Sequence, residues 1–519
     1  MTAHPGVGPF PPGRISRMLR DTATRAPQAV ALRDGARAVT YRELDGWADA
    51  VVAGLAARPE ALGPGAVAVP LELGMATAAV YYGLLRAGRV VVPVNPLMPA
   101  PRLAAVLAES GAGGLLAGPR FLRRLAEGPV PPPARLRLAS WDDLGVAGPP
   151  PAVGAPVDEP DVDDDAPAAV LFTSGTTGRP KMVQVSHRAV KANAWQMSGA
   201  HRIDARAVVL CHLPILNPMH TNACVLRGAT QVLCHDDDLA ACLGLAAEQG
   251  VTHYYTQPVR LDRLALEPQL AGLPLPTIRY LAAGSRAVAE EVTERLRSRG
   301  CHVFQGYGQT ETCYLSHSDV PESPVAGSVG FGLAGTRTRV VDLDGGEPLP
   351  AGVLGELQLQ GPQLMDGYLN RPDLQPFTPD GWFRTGDVAR LDGDGRVFVL
   401  DRLVDVVVRD GTIVSPSRIE RLLERCPQVR EAGVVAVERD GQVEVVAFAV
   451  AARPDGDAGG EPDWEPVRQG YNATAAAGFA VDRIVGVDEL PRMPVNGKVD
   501  RKVLRGRLDR APGPAGVPA

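Results

Sequence analysis

The chain has 519 residues, of which 45% are hydrophobic and 22% are charged, and its formal net charge is −6. This length predicts two or three domains, the composition is that of a globular protein, and the net charge argues against a general nucleic-acid binder. No apolar segment with a basic start stands at the N-terminus, and charged residues interrupt the apolar stretch 67–96. We therefore expect neither a secretion signal nor a membrane span.

Cysteine usage gives an expectation about the compartment. The seven cysteines are scattered and form no C-x-x-C pair, so their spacing indicates neither a zinc site nor a disulfide framework. A reducing cytoplasm is the expected location. The cysteines are Cys211, Cys224, Cys234, Cys242, Cys301, Cys313 and Cys426.

Lysine is rare in this chain, because only four of its 53 basic residues are lysines. Where arginine has replaced lysine almost everywhere, a remaining lysine is expected to act at a place that a planar guanidinium would not fit. The lysines are Lys181, Lys191, Lys498 and Lys502.

The first third of the chain has alternating strand and helix patterns. Residues 1–13 are rich in proline and glycine and are predicted to be a disordered tail. Thr40 and Glu43 have the spacing of a capping box, which predicts a helix that begins after Thr40. Strands and helices then alternate from 67 to 117, which predicts a largely parallel sheet covered by helices. A proline-dense surface connection over 128–167 follows.

The alternation resumes at His187 and continues to Tyr307, with glycine, hydroxyl and acidic residues after the ends of successive strands. Open α/β sheets bind ligands at this edge. From 327 to about 400 the pattern is strand-rich and predicts a small β-barrel-like subdomain. Mixed strands and helices follow from 404, and a frayed tail is predicted over 508–519.

The most distinctive stretch lies between Leu171 and Lys181, where a short apolar strand turns into hydroxyls and glycines. Glycines let backbone amides approach a phosphate closely, and the hydroxyls and the lysine add donors and charge, so this loop is suited to a polyphosphate. It lacks the Gly-Lys-Ser/Thr ending of the common nucleotide-triphosphate loop, and a solvated turn is the alternative for any such run. The candidate phosphate ligands are Thr173, Ser174, Gly175, Thr176, Thr177, Gly178 and Lys181.

The order Thr-Ser-Gly-Thr-Thr-Gly-x-Pro-Lys in this loop resembles the phosphate loop of the adenylate-forming superfamily, which comprises acyl- and aryl-CoA synthetases, adenylation domains of peptide synthetases and firefly luciferase. Three later stretches resemble further motifs of that superfamily: Gly306-Tyr-Gly-Gln-Thr-Glu311, Trp382-Phe-Arg-Thr-Gly-Asp387 and the segment 491–501. The matches extend from 171 to 501.

The resemblance implies an α/β fold in which stacked α/β sheets form a large N-terminal domain over 14–403. The β-rich subdomain at about 327–400 would belong to it, and a small, mobile α+β domain would follow over 404–507. Rotation of this small domain about a hinge would adapt one enzyme to two successive reactions.

The resemblance also implies roles for individual residues. Tyr307 would stack on adenine, Thr310 would contact a phosphate, and Glu311 would bind Mg²⁺, which prefers carboxylate oxygens. Asp387 would accept hydrogen bonds from the ribose hydroxyls, and Arg402 would approach the ribose.

Lys498 would contact the carboxylate and the α-phosphate, where charge develops during adenylation. The remaining implied positions are Gly284, Ser285, Gly306 and Gly308 around AMP, Asn217 and Gly306 in the acyl pocket, Asn217 and Gly411 in the coenzyme A tunnel, and Val404 at the hinge.

The implied chemistry takes two steps, those of an AMP-forming acyl-CoA synthetase. A carboxylate attacks the α-phosphate of ATP to give an acyl-adenylate and pyrophosphate, and a thiol, usually of coenzyme A, then attacks the mixed anhydride. ATP, Mg²⁺ and coenzyme A are thus the implied cofactors, and a small carboxylic acid is the implied substrate.

Three positions depart from the superfamily pattern. Met182 stands where a glycine usually follows the loop lysine, Leu216 and Asn217 replace an aromatic–histidine pair, and Val404 replaces a lysine or aspartate. No aspartate near 217 is available to pair with an α-amino group, so an amino-acid substrate is disfavoured. Aliphatic, alicyclic and aromatic acids all remain open.

Three alternatives to an acyl-CoA synthetase remain at this point. An adenylation enzyme that loads a carrier protein is favoured by the segment 496–502, which resembles that branch. A thioesterification specialist, supplied with adenylate by a partner ligase, follows if the departures at Met182, Asn217 and Val404 weaken adenylation and leave the later thiol attack possible. A non-catalytic nucleotide-binding member is disfavoured because Lys181, Glu311 and Lys498 are all retained.

Overall fold

The computed structural model describes residues 13–146, 148, 150, 152, 154, 156–159, 163–173, 180–213, 215–284, 286–343, 346–439, 442–452, 462–476, 478–492 and 499–510. Its helices are α1 (Ile15–Arg25), α2 (Tyr41–Ala57), α3 (Met75–Arg86), α4 (Ala100–Glu109), α5 (Pro119–Ala126), α6 (His187–Ala200), α7 (Pro218–Arg227), α8 (Leu239–Glu248), α9 (Pro258–Leu266), α10 (Pro268–Ala271), α11 (Glu290–Ser298), α12 (Pro416–Leu423), α13 (Trp464–Thr474) and α14 (Arg501–Arg510).

The strands are β1 (Val30–Asp34), β2 (Arg37–Thr40), β3 (Ala66–Pro70), β4 (Val91–Val94), β5 (Ala112–Ala117), β6 (Arg137–Ser140), β7 (Pro167–Phe172), β8 (Met182–Ser186), β9 (Val208–Cys211), β10 (Thr230–Leu233), β11 (His253–Thr256), β12 (Tyr280–Ala283), β13 (His302–Phe304), β14 (Gly306–Tyr307), β15 (His317–Ser318), β16 (Phe331–Gly332), β17 (Arg337–Val341), β18 (Gly355–Gln360), β19 (Gly367–Tyr368), β20 (Phe383–Leu391), β21 (Val397–Arg402), β22 (Val407–Arg409), β23 (Thr412–Val414), β24 (Val429–Arg439), β25 (Gln442–Ala451) and β26 (Arg483–Gly486).

The chain divides into two units, the first formed by residues 1–338 with 359–383 and the second by residues 339–358 with 384–519. The division predicted from the sequence, with a boundary near residue 404, stays a prediction.

Two seven-stranded sheets form the framework of the first unit. One has the order β13-β12-β11-β9-β10-β1-β2 and is parallel except for the hairpin partner β2. The other has the order β19-β8-β7-β4-β3-β5-β6, with β8 and β19 antiparallel to their neighbours. Strands β3 and β4 are buried along their whole length, as expected for apolar runs in a parallel sheet covered on both faces. The predicted α/β class is confirmed.

Helix α3 packs against strands of both sheets and against α1 and α2, and every described side chain of its last ten positions is buried. Its final residue, Arg86, is fully buried and ion-paired with Asp45 and Asp49 of α2, at 2.7 Å for Asp49. The capping box predicted for α2 is also present, because Thr40 and Glu43 exchange side-chain and backbone hydrogen bonds.

The second unit is richer in strands. Strands β17, β18, β20 and β21 form a four-stranded sheet in that order, and among the described residues no pairing closes it, so the β-barrel-like expectation is corrected to an open sheet. A second sheet, β24-β25-β26, is packed by α12 and α14 on β24 and by α13 on β26. Among the described residues, no helix combines the length and apolar composition needed to cross a bilayer.

Candidate active site

The predicted phosphate loop connects β7 and β8, which are neighbouring antiparallel strands. The backbone N–H of Thr173 donates to the carbonyl of Lys181 at 3.1 Å and closes the base of the loop. The hydroxyl oxygen of Thr173 is buried and has no hydrogen-bond partner among the described residues, a costly state that a bound ligand would relieve. The other loop candidates, Ser174, Gly175, Thr176, Thr177 and Gly178, lie outside the described residues.

A three-residue cluster lies at the end of this loop. The Nζ of Lys181 lies 3.4 Å from Oε1 of Glu311 and 2.9 Å from the hydroxyl oxygen of Tyr368. The Tyr368 hydroxyl donates to the same Glu311 oxygen at 2.7 Å, and the Lys181 ammonium lies 4.4 Å from the centre of the Tyr368 ring. The structure therefore brings together two residues predicted from separate motifs, Lys181 and Glu311, and adds a third.

The Glu311 carboxylate suits a hard cation. Its side chain is only 6% exposed, and both contacts above involve Oε1, which leaves Oε2 without a hydrogen bond among the described residues. An anionic oxygen beside the predicted phosphate loop is the type of ligand that Mg²⁺ uses together with nucleotide phosphates. The residues at this place fit a magnesium ion.

Tyr368 was not predicted, although it holds the cluster together. It lies on β19, which pairs with β8 so that Tyr368 stands opposite Val183. Two residues later, the Asn370 side chain accepts from the N–H of Met182 at 2.9 Å and donates to the carbonyl of Pro180 at 3.1 Å. The only signal in the sequence is the Gly-Tyr-x-Asn order over 367–370, and nothing in it indicates a pairing with β8.

The Gly-Tyr-Gly-Gln-Thr-Glu motif begins on β14, which pairs Tyr307 with His317 of β15. The half-buried Tyr307 accepts a hydrogen bond from the Gln309 amide at 3.0 Å. Gly308 has no room for a side chain, because a Cβ would lie 2.3 Å from the carbonyl oxygen of Tyr314.

Thr310 and Glu311 lie on the 3₁₀ turn that follows, and Gly306 lies on β14 itself. The motif thus places Gly306, Tyr307, Gly308, Thr310 and Glu311 on one continuous segment, a short strand followed by a 3₁₀ turn. Gly284, predicted to contact AMP, follows β12, whereas its neighbour Ser285 lies outside the described residues.

The segment after Glu311 is strained. Cys313 and Tyr314 both have left-handed backbones, with φ of 50° and 79°, a conformation that non-glycine residues adopt rarely and at a cost. Backbone hydrogen bonds from Tyr314 to Gln309 (2.9 Å) and from Ser316 to Tyr307 (2.8 Å) hold this turn in place. Strain of this kind concentrates at ligand-binding segments, and no pattern in the sequence predicts it here.

The departures from the superfamily pattern have structural explanations. Asn217 is the N-cap of α7, and its side chain accepts from the N–H of Met219 at 3.0 Å, with Pro218 at the first helical position. Met182 is fully buried in a hydrophobic cluster with Val170 and neighbouring core residues. Its side chain therefore fills the core. Residues 174–179 of the loop lie outside the described residues, so the expectation that Met182 crowds the phosphate loop stays a prediction.

One turn into α7, His220 stacks on Tyr255 with a ring separation of 4.2 Å. Burial lowers the pKa of His220 to about 3, so the imidazole is neutral at physiological pH. Its Nδ1 atom is buried and has no hydrogen-bond partner among the described residues. A neutral histidine with an unsatisfied nitrogen was not predicted from the sequence.

Within the second unit, β20 and β21 pair Asp387 directly with Arg402, and the Arg402 Nε lies 3.2 Å from the Asp387 carboxylate. Asp387 is buried and Arg402 is largely exposed. The two residues predicted to bind the ribose thus form an ion pair, with the carboxylate and the guanidinium side by side.

The predicted hinge and tunnel positions also lie in the second unit. Val404 is 71% exposed, and its carbonyl accepts from Arg505 at 3.3 Å. Asp410 and Gly411 form the two-residue turn between β22 and β23, with φ of 52° and 73°, the geometry for which Asp-Gly is favoured. Lys498 lies outside the described residues.

Comparisons with known proteins agree with the motifs. A family model described as AMP-binding enzyme matches residues 19–369. A feruloyl-CoA synthase from an Amycolatopsis species is 31% identical over 97% of this chain and 99% of its own length. A fatty acid–[acyl-carrier-protein] ligase, ScoC of Streptomyces coeruleorubidus, is 32% identical over 83% of this chain and 84% of its own length.

The solved structure of O-succinylbenzoate coenzyme A synthetase from Bacillus subtilis, in complex with ATP and magnesium ion, superposes with a TM-score of 0.79 and 25% identity, covering 94% of this chain and 99% of that one. The resemblance to the adenylate-forming superfamily is confirmed by these matches. The chain belongs to the family of AMP-binding enzymes.

Proposed function

We propose that this protein is an AMP-forming acid–thiol ligase that converts a carboxylic acid into its coenzyme A thioester. The observation that carries the proposal is the cluster of Lys181, Glu311 and Tyr368 at the end of the phosphate loop. The cluster places the Lys181 ammonium, which can bind phosphates, beside the Glu311 carboxylate, which can bind a metal ion. The relatives of the chain include a feruloyl-CoA synthase. Coenzyme A and ATP are consumed, so both are substrates.

In the first step, a carboxylate oxygen of the acid forms a bond to the α-phosphorus of ATP, and pyrophosphate leaves with the electrons of the broken P–O bond. In the second step, the sulfur of coenzyme A attacks the acyl carbonyl, loses its proton to solvent or a base, and AMP leaves. Mg²⁺, when bound, offsets the negative charge of the phosphates.

The residues of this chain bind and orient the reactants. Lys181 would exchange its contact with Glu311 for one with a phosphate oxygen, while Glu311 turns to the metal. The Tyr368 hydroxyl, which bridges both side chains, would keep the freed carboxylate in place. Asp387 would hold the ribose hydroxyls, and Lys498 would approach the α-phosphate during adenylation.

An aromatic acid is the substrate class that we favour. The support comes from the feruloyl-CoA synthase, which aligns along almost its whole length, and from the aromatic stack of His220 on Tyr255 after the predicted pocket residue Asn217. The Asn217 amide is engaged in capping its own helix, so it is poorly placed to bind an α-amino group.

The test is pyrophosphate release from ATP across a panel of acids, followed by thioester formation with coenzyme A. Ferulate, benzoate, a medium-chain fatty acid and phenylalanine separate the aromatic, aliphatic and amino-acid classes. Glu311→Gln, which keeps the size of the side chain and removes its charge, is the matched inactive variant. Release that needs no acid, or that is equal in Glu311→Gln, would contradict a ligase built on this cluster.

Loading of a carrier protein is the second candidate function, because the ScoC ligase, named as a fatty acid–[acyl-carrier-protein] ligase, has a sequence identity close to that of the feruloyl-CoA synthase, although its match covers less of this chain. Competing the two acceptors, free coenzyme A and a phosphopantetheinyl carrier protein, for one pool of adenylate decides between them. The burial of Met182 in the core offers no support for a thioesterification specialist.

A further inference from the structure

Three soft ligands meet in the first unit, away from the cluster of Lys181, Glu311 and Tyr368. His212 follows β9, Cys234 follows β10, and Cys242 lies in the first turn of α8. One ligand atom from each lies within 4.8 Å of the others, and all three side chains are buried. Strands β9 and β10 are parallel neighbours, so their ends deliver His212 and Cys234 to the same edge of the sheet.

The orientation of His212 is fixed as it is in metal-binding histidines. Its Nε2 lies 2.6 Å from the carbonyl oxygen of Asp236, to which it donates. Nδ1 is then the unprotonated nitrogen, and it faces the Cys242 sulfur at 3.1 Å. Metal-binding histidines commonly donate their other N–H to a carbonyl or carboxylate, which sets the tautomer and aims the ring.

The thiols of the protonated cluster have only long or shared hydrogen bonds. The Tyr254 hydroxyl, 2.8 Å away, and the Cys242 thiol both point to the one lone pair of His212 Nδ1. The hydrogen bond of the Cys234 thiol to the Asp236 carbonyl is long, at 3.9 Å. Buried donors without good acceptors are destabilising, and a cation that replaces the thiol protons would remove this mismatch.

Charge around the cluster favours thiolates. Arg260 donates to the His212 carbonyl at 2.5 Å and pairs with Asp237 at 3.0 Å. A guanidinium this close stabilises a thiolate, which is the form in which cysteine binds a metal.

We propose that His212 Nδ1 and the sulfurs of Cys234 and Cys242 bind a Zn²⁺ ion. Zinc takes imidazole nitrogen at about 2.0–2.1 Å and thiolate sulfur at about 2.3 Å in a tetrahedral arrangement, so ligand atoms already within 4.8 Å of one another need only small side-chain rotations. The Tyr254 hydroxyl, 2.8 Å from Nδ1 and 4.0 Å from the Cys242 sulfur, stands beside the fourth position.

The ion would have a structural role. It would tie α8 to the ends of β9 and β10, and so fix the segment that runs from His212 to the α7 cap at Asn217. The inference rests on no part of the proposed function, because none of the three ligands belongs to the candidate active site.

The test measures metal binding by the full-length protein. Chelator-treated, reduced protein is titrated with Zn²⁺, and bound metal is quantified by mass spectrometry after gel filtration. Co²⁺ is used as a spectroscopic substitute, because thiolate coordination gives sulfur-to-cobalt charge-transfer bands. We expect about one tightly bound Zn²⁺ per chain, thiolate bands with Co²⁺, and a rise in melting temperature with Zn²⁺.

The variants are Cys234→Ser and Cys242→Ser, and Cys301→Ser is the matched control. Cys301 is a buried cysteine of the same hydrophobic cluster, and its sulfur contacts only the Ile278 carbonyl among the described residues. Loss of a ligand should weaken Zn²⁺ binding by at least about 100-fold, the upper range seen for outer-shell partners, while Cys301→Ser binds as the wild type does.

Three results would overturn the proposal: no retained zinc in the wild type, zinc binding that survives both ligand substitutions, or a Cys234–Cys242 disulfide in non-reducing peptide maps. If a serine variant fails to fold, the cobalt spectrum of the wild type decides, because the absence of thiolate bands excludes sulfur ligation.

Discussion

Tyr368→Phe is the sharpest test of the candidate active site. The substitution removes the hydroxyl that donates to Glu311 at 2.7 Å and accepts from Lys181 at 2.9 Å. It keeps the aromatic ring and hence the 4.4 Å contact of the ammonium with that ring. If the hydroxyl positions the Glu311 carboxylate for the metal–nucleotide complex, adenylation should slow while the fold stays intact.

The size of the effect follows from the lost hydrogen bond. Hydrogen bonds to charged groups contribute about 1.5–3 kcal/mol, and because Lys181 is 30% exposed, the lower half of that range applies. A loss of about 1.5–2 kcal/mol corresponds to adenylation that is about 10- to 30-fold slower. The Mg²⁺ concentration needed for half-maximal rate should also rise, because the carboxylate is held less firmly.

The assay is ATP–pyrophosphate exchange with the preferred acid at several Mg²⁺ concentrations, run beside thioester formation from synthetic acyl-adenylate. Tyr471→Phe is the matched control, because it too removes a tyrosine hydroxyl that donates a hydrogen bond. Here the acceptor is the backbone carbonyl of Phe479, at 3.2 Å. Its exchange rate should equal that of the wild type. If Tyr368→Phe slowed both half-reactions equally, or left the Mg²⁺ dependence unchanged, the positioning role would be refuted.

Three further predictions concern stability and catalysis. Arg86→Met removes a buried cation from three carboxylates, those of Asp45, Asp49 and Glu159, of which the two aspartates keep Arg20 as a partner. The free energy of unfolding should fall by about 3–5 kcal/mol in urea denaturation, and an unchanged midpoint would contradict the buried network. The pKa of His220 is about 3 in the folded chain and about 6.5 in the unfolded chain. Between these two pH values the unfolded chain therefore binds one proton more than the folded chain. The stability contribution of His220 is complete above about pH 6.5 and is lost as the pH falls toward 3. His220→Phe should therefore reduce the slope of stability against pH in this window by up to about 1.4 kcal/mol per pH unit, measured by denaturation at stepped pH, and an unaltered slope would show that His220 is not the group. Lys498→Ala should slow adenylation by roughly 10²–10³ and spare thioester formation from supplied adenylate, whereas Lys502→Ala, at an exposed position, should change neither rate in the same assays.

Local patterns in the sequence predicted the framework well. The capping box of Thr40 and Glu43 depends on two residues three apart, and it forms as expected. The apolar runs of β3 and β4 indicated strands of a parallel sheet covered on both faces. In the structure both strands are buried at every position, which agrees with this prediction. Strand propensity did not tell an open sheet from a closed barrel, since closure depends on long-range pairing.

The parts of the site that escaped prediction depend on pairings between distant segments. Tyr368 reaches Glu311 only because β19 pairs with β8, and no periodicity in either segment indicates that pairing. The proposed zinc ligands come from three different elements, since His212 follows β9, Cys234 follows β10 and Cys242 lies on α8. No short spacing between cysteines therefore indicates the site in the sequence. Left-handed Cys313 and Tyr314 contradict the usual preference for glycine in that conformation.

The scarcity of lysine predicted that each remaining lysine occupies a place unsuited to arginine. The three described lysines differ in burial and in partners, so the prediction does not apply to them equally. Lys181 lies against the Tyr368 ring and beside the Glu311 carboxylate, where a compact charge can move from one partner to a phosphate. Lys191 is fully buried in α6 and pairs with Asp164 at 3.2 Å, so its role is structural. Lys502 is exposed on α14. The rarity of lysine thus points to positions where a small ammonium group fits better than a guanidinium. Whether such a lysine binds a ligand, as proposed for Lys181, or stabilises the fold, as Lys191 does, depends on its burial and its partners.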